Sequence, residues 1–204
     1  MIIGLTGGIA SGKSTVARML EEKGAYLLDA DRLARQAVEP GQPAWQEIVN
    51  WLGPQILLPD QNIDRAKLGD LIFNDSGKRK KLNKIVHPWV GQRFTTLSED
   101  IKQKDPQAIL VYDIPLLIEA GMQKIVDLVL LVYVPRETQI LRLQERDKLS
   151  RDKAEARLRA QMSLDEKKQY ADYVIDNRGM LAETARQVDQ FWIKLKNCRK
   201  GECS

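Results

Sequence analysis

Residues 7–14 of the chain read GGIASGKS and fit the phosphate-binding pattern G-x-x-x-x-G-K-[ST] at every position. The pattern follows a short apolar run over residues 2–5 and precedes a helical pattern, which is the strand–loop–helix setting of such a loop. Glycines let the loop turn its N–H groups into a nest for phosphate oxygens, and the next helix presents its positive end to the same anion. Lys13 can reach the β- and γ-phosphates, and the Ser14 hydroxyl can ligate Mg²⁺. The sequence therefore predicts a site for a nucleoside triphosphate with Mg²⁺.

Strand and helix patterns alternate on both sides of a helical middle segment. Continuous apolar runs over residues 108–112 and 128–134 are typical of parallel strands buried on both faces, and shorter strands are predicted over 25–28 and 173–175. The predicted helices cover residues 13–23, 32–38, 44–52, 64–73, 78–86, 88–104, 137–148, 150–161 (capped by Ser150) and 180–196, and a capping box at Ser163–Glu166 begins one more. Apart from a short stretch at 55–58, residues 41–104 carry no strand pattern, and the tail from residue 197 is expected to fray. We predict an α/β fold with a parallel sheet of about five strands.

Composition removes several classes of protein. Hydrophobic residues make up 43% and charged residues 29% of the chain, which argues against a disordered chain or a fibre. The single histidine, His87, excludes a multi-histidine metal site, and Cys198 and Cys203 are expected to be free thiols in a reducing compartment. The longest apolar run, over residues 128–134, is too short to span a bilayer, and the N-terminus lacks the basic segment of a signal peptide. We therefore expect a soluble, cytoplasmic protein.

A phosphate-binding loop alone is compatible with a switch GTPase, an ATPase motor or a small-molecule kinase. A GTPase usually carries N-K-x-D for guanine, and residues 83–86, NKIV, lack the aspartate and lie in a helical pattern. A motor is usually longer than this chain. The helical insertion after the second strand and the arginine-rich segment near the end favour a phosphotransferase, which needs an acceptor pocket, a base and a cationic lid that excludes water.

Carboxylates follow two of the predicted strands, at the sheet edge where α/β proteins bind ligands. Asp29 and Asp31 end the second strand, and Asp31 can deprotonate an acceptor hydroxyl or hold Mg²⁺ through water. The alternative for Asp31 is the N-cap of the helix over residues 32–38. Asp113 ends the third strand and is placed like a Mg²⁺-assisting aspartate, with a structural turn before Pro115 as the alternative.

A series of motifs along the chain resembles the dephospho-CoA kinase family. In chain order the motifs are LTGGIASGKST (5–15), DAD (29–31), ARQ (34–36), EPG (39–41), HP (87–88), PLLIE (115–119), RD (146–147) and DNRG (176–179). The phosphate-binding loop is shared by many families, whereas the combination is much more restrictive, and the resemblance covers roughly residues 1–196. It implies a P-loop kinase fold of three layers that transfers the γ-phosphate of ATP to the ribose 3′-hydroxyl of dephospho-CoA, the last step of coenzyme A synthesis.

The resemblance also implies roles for individual residues. Asp31 is the expected base, and Lys13, Arg142 and Arg146 are expected to stabilise the transferring phosphoryl group. The residues expected to bind ATP are Gly8, Ile9, Ala10, Ser11, Gly12, Lys13, Ser14, Thr15, Asn177 and Gly179. Those expected to bind the acceptor are Asp31, His87, Pro115, Leu116, Glu119, Arg157 and Gln161. Ser14 and Asp113 are the expected Mg²⁺ ligands.

Three parts of the chain follow from the resemblance. Residues 1–40, 105–136 and 171–204 are expected to form the nucleotide-binding core, residues 41–104 a helical insertion that binds the acceptor, and residues 137–170 a lid. The expected partner is dephospho-CoA, with no nucleic acid and no membrane, in a monomer or small homo-oligomer.

The net charge of +4 is small, so the basic residues are better explained by small anionic ligands than by nucleic acid. Arg142 and Arg146 share a helical face, and a basic cluster over residues 78–84 can attract an acceptor that carries a diphosphate, although solvated helix faces are the alternative for both. The resemblance implies that His87 lies near the acceptor rather than acting in catalysis, with a helix-terminal or packing histidine as the alternative. Two rival functions stay open: another P-loop kinase acting on a nucleoside monophosphate or small alcohol, and a nucleotide-dependent binding or switch protein.

Overall fold

The computed structural model describes residues 1–73 and 75–199, and these residues form two compact units. The sheet unit contains residues 1–28 and the chain from residue 107 onward, and the helical unit contains residues 29–106. The side chain of Cys198 and the whole of Cys203 lie outside the described part, so the two free thiols stay a prediction.

A five-stranded sheet forms the centre of the sheet unit. Its strands are β1 (Ile2–Gly7), β2 (Tyr26–Asp29), β3 (Leu110–Asp113), β4 (Leu128–Tyr133) and β5 (Tyr173–Asp176). The spatial order is β2-β3-β1-β4-β5, and the pairs β1–β3, β1–β4 and β4–β5 run parallel. The predicted α/β fold with a five-stranded parallel sheet is therefore confirmed. Because β1 lies between β3 and β4, the phosphate-binding loop leaves the sheet where the strand order reverses, which is where open α/β sheets bind ligands.

The strands of the sheet are connected by helices that belong to both units. Those of the described residues are α1 (Lys13–Glu22), α2 (Ala30–Ala37), α3 (Pro43–Leu52), α4 (Arg65–Phe73), α5 (Ser76–Lys104), α6 (Arg136–Asp147), α7 (Arg151–Arg159), α8 (Leu164–Lys167) and α9 (Leu181–Arg199). As predicted, Ser150 caps α7, and Ser163 and Glu166 form the capping box of α8. None of these helices, over the described ranges, is long and apolar enough to cross a membrane.

Alternating side chains of β4 show that helices cover both faces of the sheet. Leu130 and Val132 belong to a buried cluster with residues of α1 and α9. Leu131 and Tyr133, one position along, belong to a second cluster with Leu164 of α8. The sheet is therefore the middle of three layers, and its strands are apolar on both sides as the uninterrupted runs predicted.

The helical unit corrects one prediction, because α5 runs unbroken through Pro88 where two helices were expected. Its buried residues, Val86, Val90, Phe94 and Ser98, are four positions apart and form one stripe across the proline. Pro88 and residue 84 both lie on the exposed side, where water can satisfy the carbonyl group that loses its helical donor. Packing of the stripe therefore keeps the helix continuous.

The structure also excludes the alternative role of Asp31, settles the open stretch at 55–58 and corrects the expectation for the start of the tail. The N-cap of α2 is Asp29, whose carboxylate accepts from the N–H group of Arg32, so Asp31 lies inside the first turn and is not the cap. The stretch at 55–58 is a 3₁₀ turn (Pro54–Ile56) followed by an isolated bridge between Leu57 and Ile63. Residues 197–199 continue α9 rather than fray, because no glycine or proline interrupts the helix before residue 201; residues 200–204 lie outside the described part.

The packing of β4 generates a prediction for stability. Leu130→Ala should lower the free energy of unfolding by about 3 kcal/mol, because the side chain is fully buried and its removal leaves a cavity. Leu141→Ala on α6 is the matched control: that leucine is 58% exposed, and its truncation should change the free energy by no more than about 0.5 kcal/mol. Urea unfolding of both variants checks this, and equal losses would contradict the layered core.

Candidate active site

The phosphate-binding loop joins β1 to α1 and ends in a helix N-terminus. Gly12 is the N-cap of α1 with φ +86°, and Ala10 has φ +60°, so the loop takes two left-handed turns. The N–H group of Ser11 donates to the carbonyl oxygen of Gly8 at 3.1 Å. Within the described ranges, no acceptor lies within hydrogen-bond distance of the N–H groups of Gly12, Lys13 and Ser14. Three donors at the positive end of α1 are therefore available to an anion.

Side chains from distant parts of the sheet unit donate hydrogen bonds to the carbonyl oxygens of the loop. Gln139 of α6 donates to the carbonyl of Ile9 at 2.7 Å. The amide group of Asn177, just after β5, donates to the carbonyl of Ser11 at 2.7 Å. Since both side chains are buried, these bonds hold the loop without competition from water.

Arg142 donates to three backbone carbonyl groups. Its guanidinium contacts the carbonyl oxygen of Ala10 at 3.4 Å, that of Ser11 at 3.5 Å and that of Asn177 at 2.8 Å. The Asn177 side chain is itself oriented by Thr184, whose hydroxyl donates to its amide oxygen at 2.7 Å. Arg142 and Asn177 thus lie against the loop and support its backbone, and their expected roles toward ATP stay predictions.

Close approach of Asn177 explains why position 12 has no side chain. A Cβ atom on Gly12 would lie 2.0 Å from the amide nitrogen of Asn177. A Cβ atom on Gly8 would lie 2.6 Å from the amide nitrogen of Gln139. A side chain at either position would therefore displace the amide group that holds the loop, and the left-handed φ of Gly12 favours glycine there as well.

Lys13 forms an ion pair with Asp113 at the end of β3. The two side chains are 18% and 9% exposed, so the pair is largely shielded from solvent. Ser14, next to Lys13 in the first turn of α1, is exposed. Of the two residues expected to ligate Mg²⁺, Ser14 thus follows Lys13 in the sequence and Asp113 is the ion-pair partner of Lys13.

The segment expected to be a lid contacts the loop through Gln161. Its side-chain oxygen accepts from the N–H group of Ile9 at 3.3 Å. Arg146 and Arg157 both donate to Asp147, Arg146 through two hydrogen bonds of 2.7 and 3.0 Å. Hydrogen bonds from Arg146, with a smaller contribution from Arg157, lower the pKa of the Asp147 carboxyl. Both arginines therefore form ion pairs with the carboxylate of Asp147, and both are about half exposed.

The turn after β3 holds the other expected acceptor residues of the sheet unit. The carbonyl oxygen of Pro115 accepts from the Thr6 hydroxyl at 3.1 Å. Leu116 is 44% exposed, and Glu119 forms an ion pair with Lys167 at 2.9 Å. After β5, an open groove of about 430 Å³ passes Gly179 and is lined in part by Asp176 and Arg178. Hydrogen bonds from Arg178 lower the pKa of the Asp176 carboxyl.

Two expected site residues belong to the helical unit. Asp31 is exposed in the first turn of α2, and His87 is exposed on α5, one residue before Pro88. Their roles toward an acceptor stay predictions.

Sequence reasoning missed Gln139, Thr184 and Lys167. Their contacts join residues that are 130, 7 and 160 positions apart in the chain. A glutamine, a threonine and a lysine in amphipathic helices look like surface residues, and only their burial distinguishes them. The pattern of the sequence contained no signal for that burial.

The parallel sheet, the loop after its central strand and the side chains that hold it define an α/β protein of the phosphate-loop class. The chain belongs to the dephospho-CoA kinase family, whose sequence profile matches residues 1–183. A dephospho-CoA kinase of Geobacter metallireducens is 51% identical over 192 residues, covering 94% of this chain and 95% of the relative. One of Syntrophus aciditrophicus is 48% identical over 193 residues, covering 95% and 82%.

Solved structures agree with this assignment. The protein TT1252 of Thermus thermophilus is 36% identical with a TM-score of 0.79, covering 96% of this chain and 97% of that one. The dephospho-CoA kinase of Campylobacter jejuni is 28% identical with a TM-score of 0.72, covering 98% of each chain. A shikimate kinase of Acinetobacter baumannii, 22% identical with a TM-score of 0.50 and coverage of 98% and 94%, shares the fold.

The contact between Gly12 and Asn177 predicts the effect of a single methyl group. Gly12→Ala should weaken ATP binding by at least about tenfold, roughly 1.4 kcal/mol, because the new Cβ atom displaces Asn177 from the loop carbonyl. Gly24→Ala is the control: it has φ +97° with no atom within 4 Å of the added Cβ, so it should cost about 1 kcal/mol of stability and leave ATP affinity unchanged. Calorimetric titration with ATP measures both, and equal affinities of the two variants would contradict the contact.

Proposed function

We propose that this enzyme transfers the γ-phosphoryl group of ATP to the ribose 3′-hydroxyl of dephospho-CoA, giving coenzyme A and ADP, and that it works in the cytoplasm. The observation that carries the proposal is the phosphate loop itself, which offers three free N–H groups and Lys13 within a chain of the dephospho-CoA kinase family. The named relatives act on dephospho-CoA, and the motifs of the resemblance extend beyond the loop into both units.

The residues of the loop supply binding and charge for the triphosphate. The N–H groups of Gly12, Lys13 and Ser14 bind phosphate oxygens, and the ammonium group of Lys13 neutralises charge that builds up on the transferring group. Because Gln139, Arg142 and Asn177 already hold the loop carbonyls, little reorganisation is needed when the anion arrives. Such preorganised donors are the main source of catalysis in phosphoryl transfer.

Ser14 and Asp113 are the residues that would hold Mg²⁺. Over the ranges that the structure describes, no group of three carboxylate, histidine or cysteine side chains could hold a metal by itself. This fits Mg²⁺, which commonly takes one or two protein oxygens and completes its shell with phosphate oxygens and water. The hydroxyl and carboxylate are hard oxygen donors of the required type, and the bound ion would add positive charge beside the β- and γ-phosphates.

Asp31 is the proposed base for the acceptor hydroxyl. Its carboxylate is exposed, and its neighbour Asp29 performs the capping of α2, so Asp31 is free of that structural duty. We assign acceptor binding to the helical unit with His87 and the basic cluster over residues 78–84, and to Pro115, Leu116 and Glu119 of the sheet unit. Cationic side chains suit an acceptor that carries a diphosphate.

The segment over residues 137–170 is the proposed lid, with Arg146 and Arg157 as the cations that approach the phosphates. Both are about half exposed and share Asp147 as partner, so they can exchange a surface carboxylate for a phosphate. Gln161 ties the same segment to the loop through Ile9. Because Gln139, Arg142 and Lys167 of the same segment hold the loop, closure would move the part that carries Arg146 and Arg157, and it would exclude water from the transfer.

A panel of acceptors tests the proposed function. ADP release, followed by a coupled assay with ATP and Mg²⁺, should require dephospho-CoA, and its kcat/KM should exceed that of nucleoside monophosphates and small alcohols by at least about 10³-fold, because a hydrogen-bonding site rejects acceptors that leave its polar groups unpaired. A preference for a monophosphate or small alcohol would replace the proposed acceptor. Nucleic-acid binding that weakens steeply with salt, without acceptor-dependent ADP release, would instead indicate a binding protein.

The proposed base gives a paired prediction within α2. Asp31→Asn should lower kcat by about 10²-fold or more, because the acceptor proton loses its carboxylate, while ATP affinity stays unchanged. Asp29→Asn should leave kcat within about twofold, since asparagine caps a helix as well as aspartate does. Steady-state kinetics with dephospho-CoA measure both, and a kcat of Asp31→Asn close to that of Asp29→Asn would exclude Asp31 as the base.

A further inference from the structure

Lys167, the last residue of α8, is a completely buried lysine. Its ammonium group donates to the carbonyl oxygen of Gly7 at 3.1 Å and to that of Pro115 at 3.1 Å, and it forms an ion pair with Glu119 at 2.9 Å. These three acceptors match the three protons of an ammonium group. Burying an ammonium group is costly, and here an acceptor for each of its three protons offsets that cost.

The acceptors of Lys167 belong to two segments that carry residues of the active site. Gly7 is the first residue of the phosphate loop, six positions before Lys13. Pro115 begins the turn two positions after Asp113, the ion-pair partner of Lys13. A single side chain of the segment proposed as the lid therefore bridges the residues just before Lys13 and just after Asp113 in the chain.

A second contact shows that this bridge is shared with β1. The Thr6 hydroxyl donates to the same carbonyl oxygen of Pro115 at 3.1 Å. Glu119 in turn accepts from the N–H group of Met162, just before α8, at 3.3 Å. Lys167 and Glu119 thus close a ring that joins the phosphate loop, the turn after β3 and the start of α8.

We propose that Lys167 is a positioning residue for phosphoryl transfer: its ammonium group sets the separation between the phosphate loop and the turn after Asp113. The inference rests on the proposed function. Lys167 contacts neither ATP nor the acceptor and acts through the backbone of Gly7 and Pro115. Loss of the ammonium group leaves the ground-state contacts of the acceptor in place and misplaces Lys13 relative to Asp113. A shift of about 1 Å at reacting groups can cost about 10²-fold in rate.

The test uses Lys167→Met, with Lys168→Met as matched control. Lys168 is the next residue, is 40% exposed in its side chain, forms an ion pair with Asp165 at 3.5 Å and lies 3.3 Å from the centre of the Tyr133 ring. Lys167→Met should lower kcat by about 10²-fold while KM for dephospho-CoA changes by no more than about threefold. Lys168→Met should leave both constants within about twofold of the unchanged enzyme.

A double variant separates positioning from folding. Lys167→Met leaves Glu119 without its partner and should lower the melting temperature, whereas Lys167→Met with Glu119→Gln removes both charges and should recover most of that loss. Compared with Glu119→Gln alone, the double variant should still show the fall in kcat. If kcat recovers together with the melting temperature, Lys167 is structural only and the inference is wrong.

Hydrogen exchange tests Lys167 independently of any acceptor. In Lys167→Met and in the double variant, the hydrogen-bonded amides of residues 6–11 and 113–119 should exchange at least about tenfold faster than in Lys168→Met, with β5 unchanged. Unchanged exchange in those two segments would overturn the inference even if the acceptor is not dephospho-CoA. If the enzyme without substitutions shows no activity with dephospho-CoA, that result contradicts only the proposed function.

Discussion

The phosphate loop keeps its shape because side chains far away in the sequence donate hydrogen bonds to its carbonyl oxygens. Lys167, Gln139, Arg142 and Asn177 together reach the carbonyls of Gly7, Ile9, Ala10 and Ser11. A glycine-rich loop without such partners would sample many conformations, and ordering it would consume binding energy. The chain after β4 therefore acts as a frame for the loop. Its side chains lie so close to Gly8 and Gly12 that a Cβ atom at either position would collide with them.

The same arrangement explains how a chain with a small net charge concentrates its cations. Lys13 and Lys167 each pair with one carboxylate, Asp113 and Glu119, and the two pairs lie on segments that Lys167 joins. Arg146 and Arg157 share Asp147 in a similar way. In each pair the opposite charge and the hydrogen bonds offset part of the cost of desolvating the cation and hold it in position.

The strands, the phosphate loop and the helix caps could be predicted because their signals are local: apolar runs, glycines and capping residues at fixed spacing. The continuity of α5 could not, because the stripe of residues packed on one face outweighs the local effect of Pro88. The loop residues of the candidate site were evident from one motif, whereas Gln139 and Lys167 were not. Their partners lie more than a hundred positions away, and a buried lysine contradicts the usual preference of that residue for the surface.

NMR measurement of hydrogen exchange, with and without ATP and Mg²⁺, tests whether the hydrogen bonds to the loop carbonyl groups hold the loop in its ATP-binding shape before ATP binds. The amides of Gly12, Lys13 and Ser14 should exchange rapidly in the protein alone and become protected when ATP binds. The side-chain NH₂ protons of Gln139 and Asn177 should exchange slowly in both conditions, since their bonds to the loop persist. Loop amides that stay unprotected at saturating ATP, or side-chain protons that become exposed as ATP binds, would contradict a loop that is held in its binding shape beforehand.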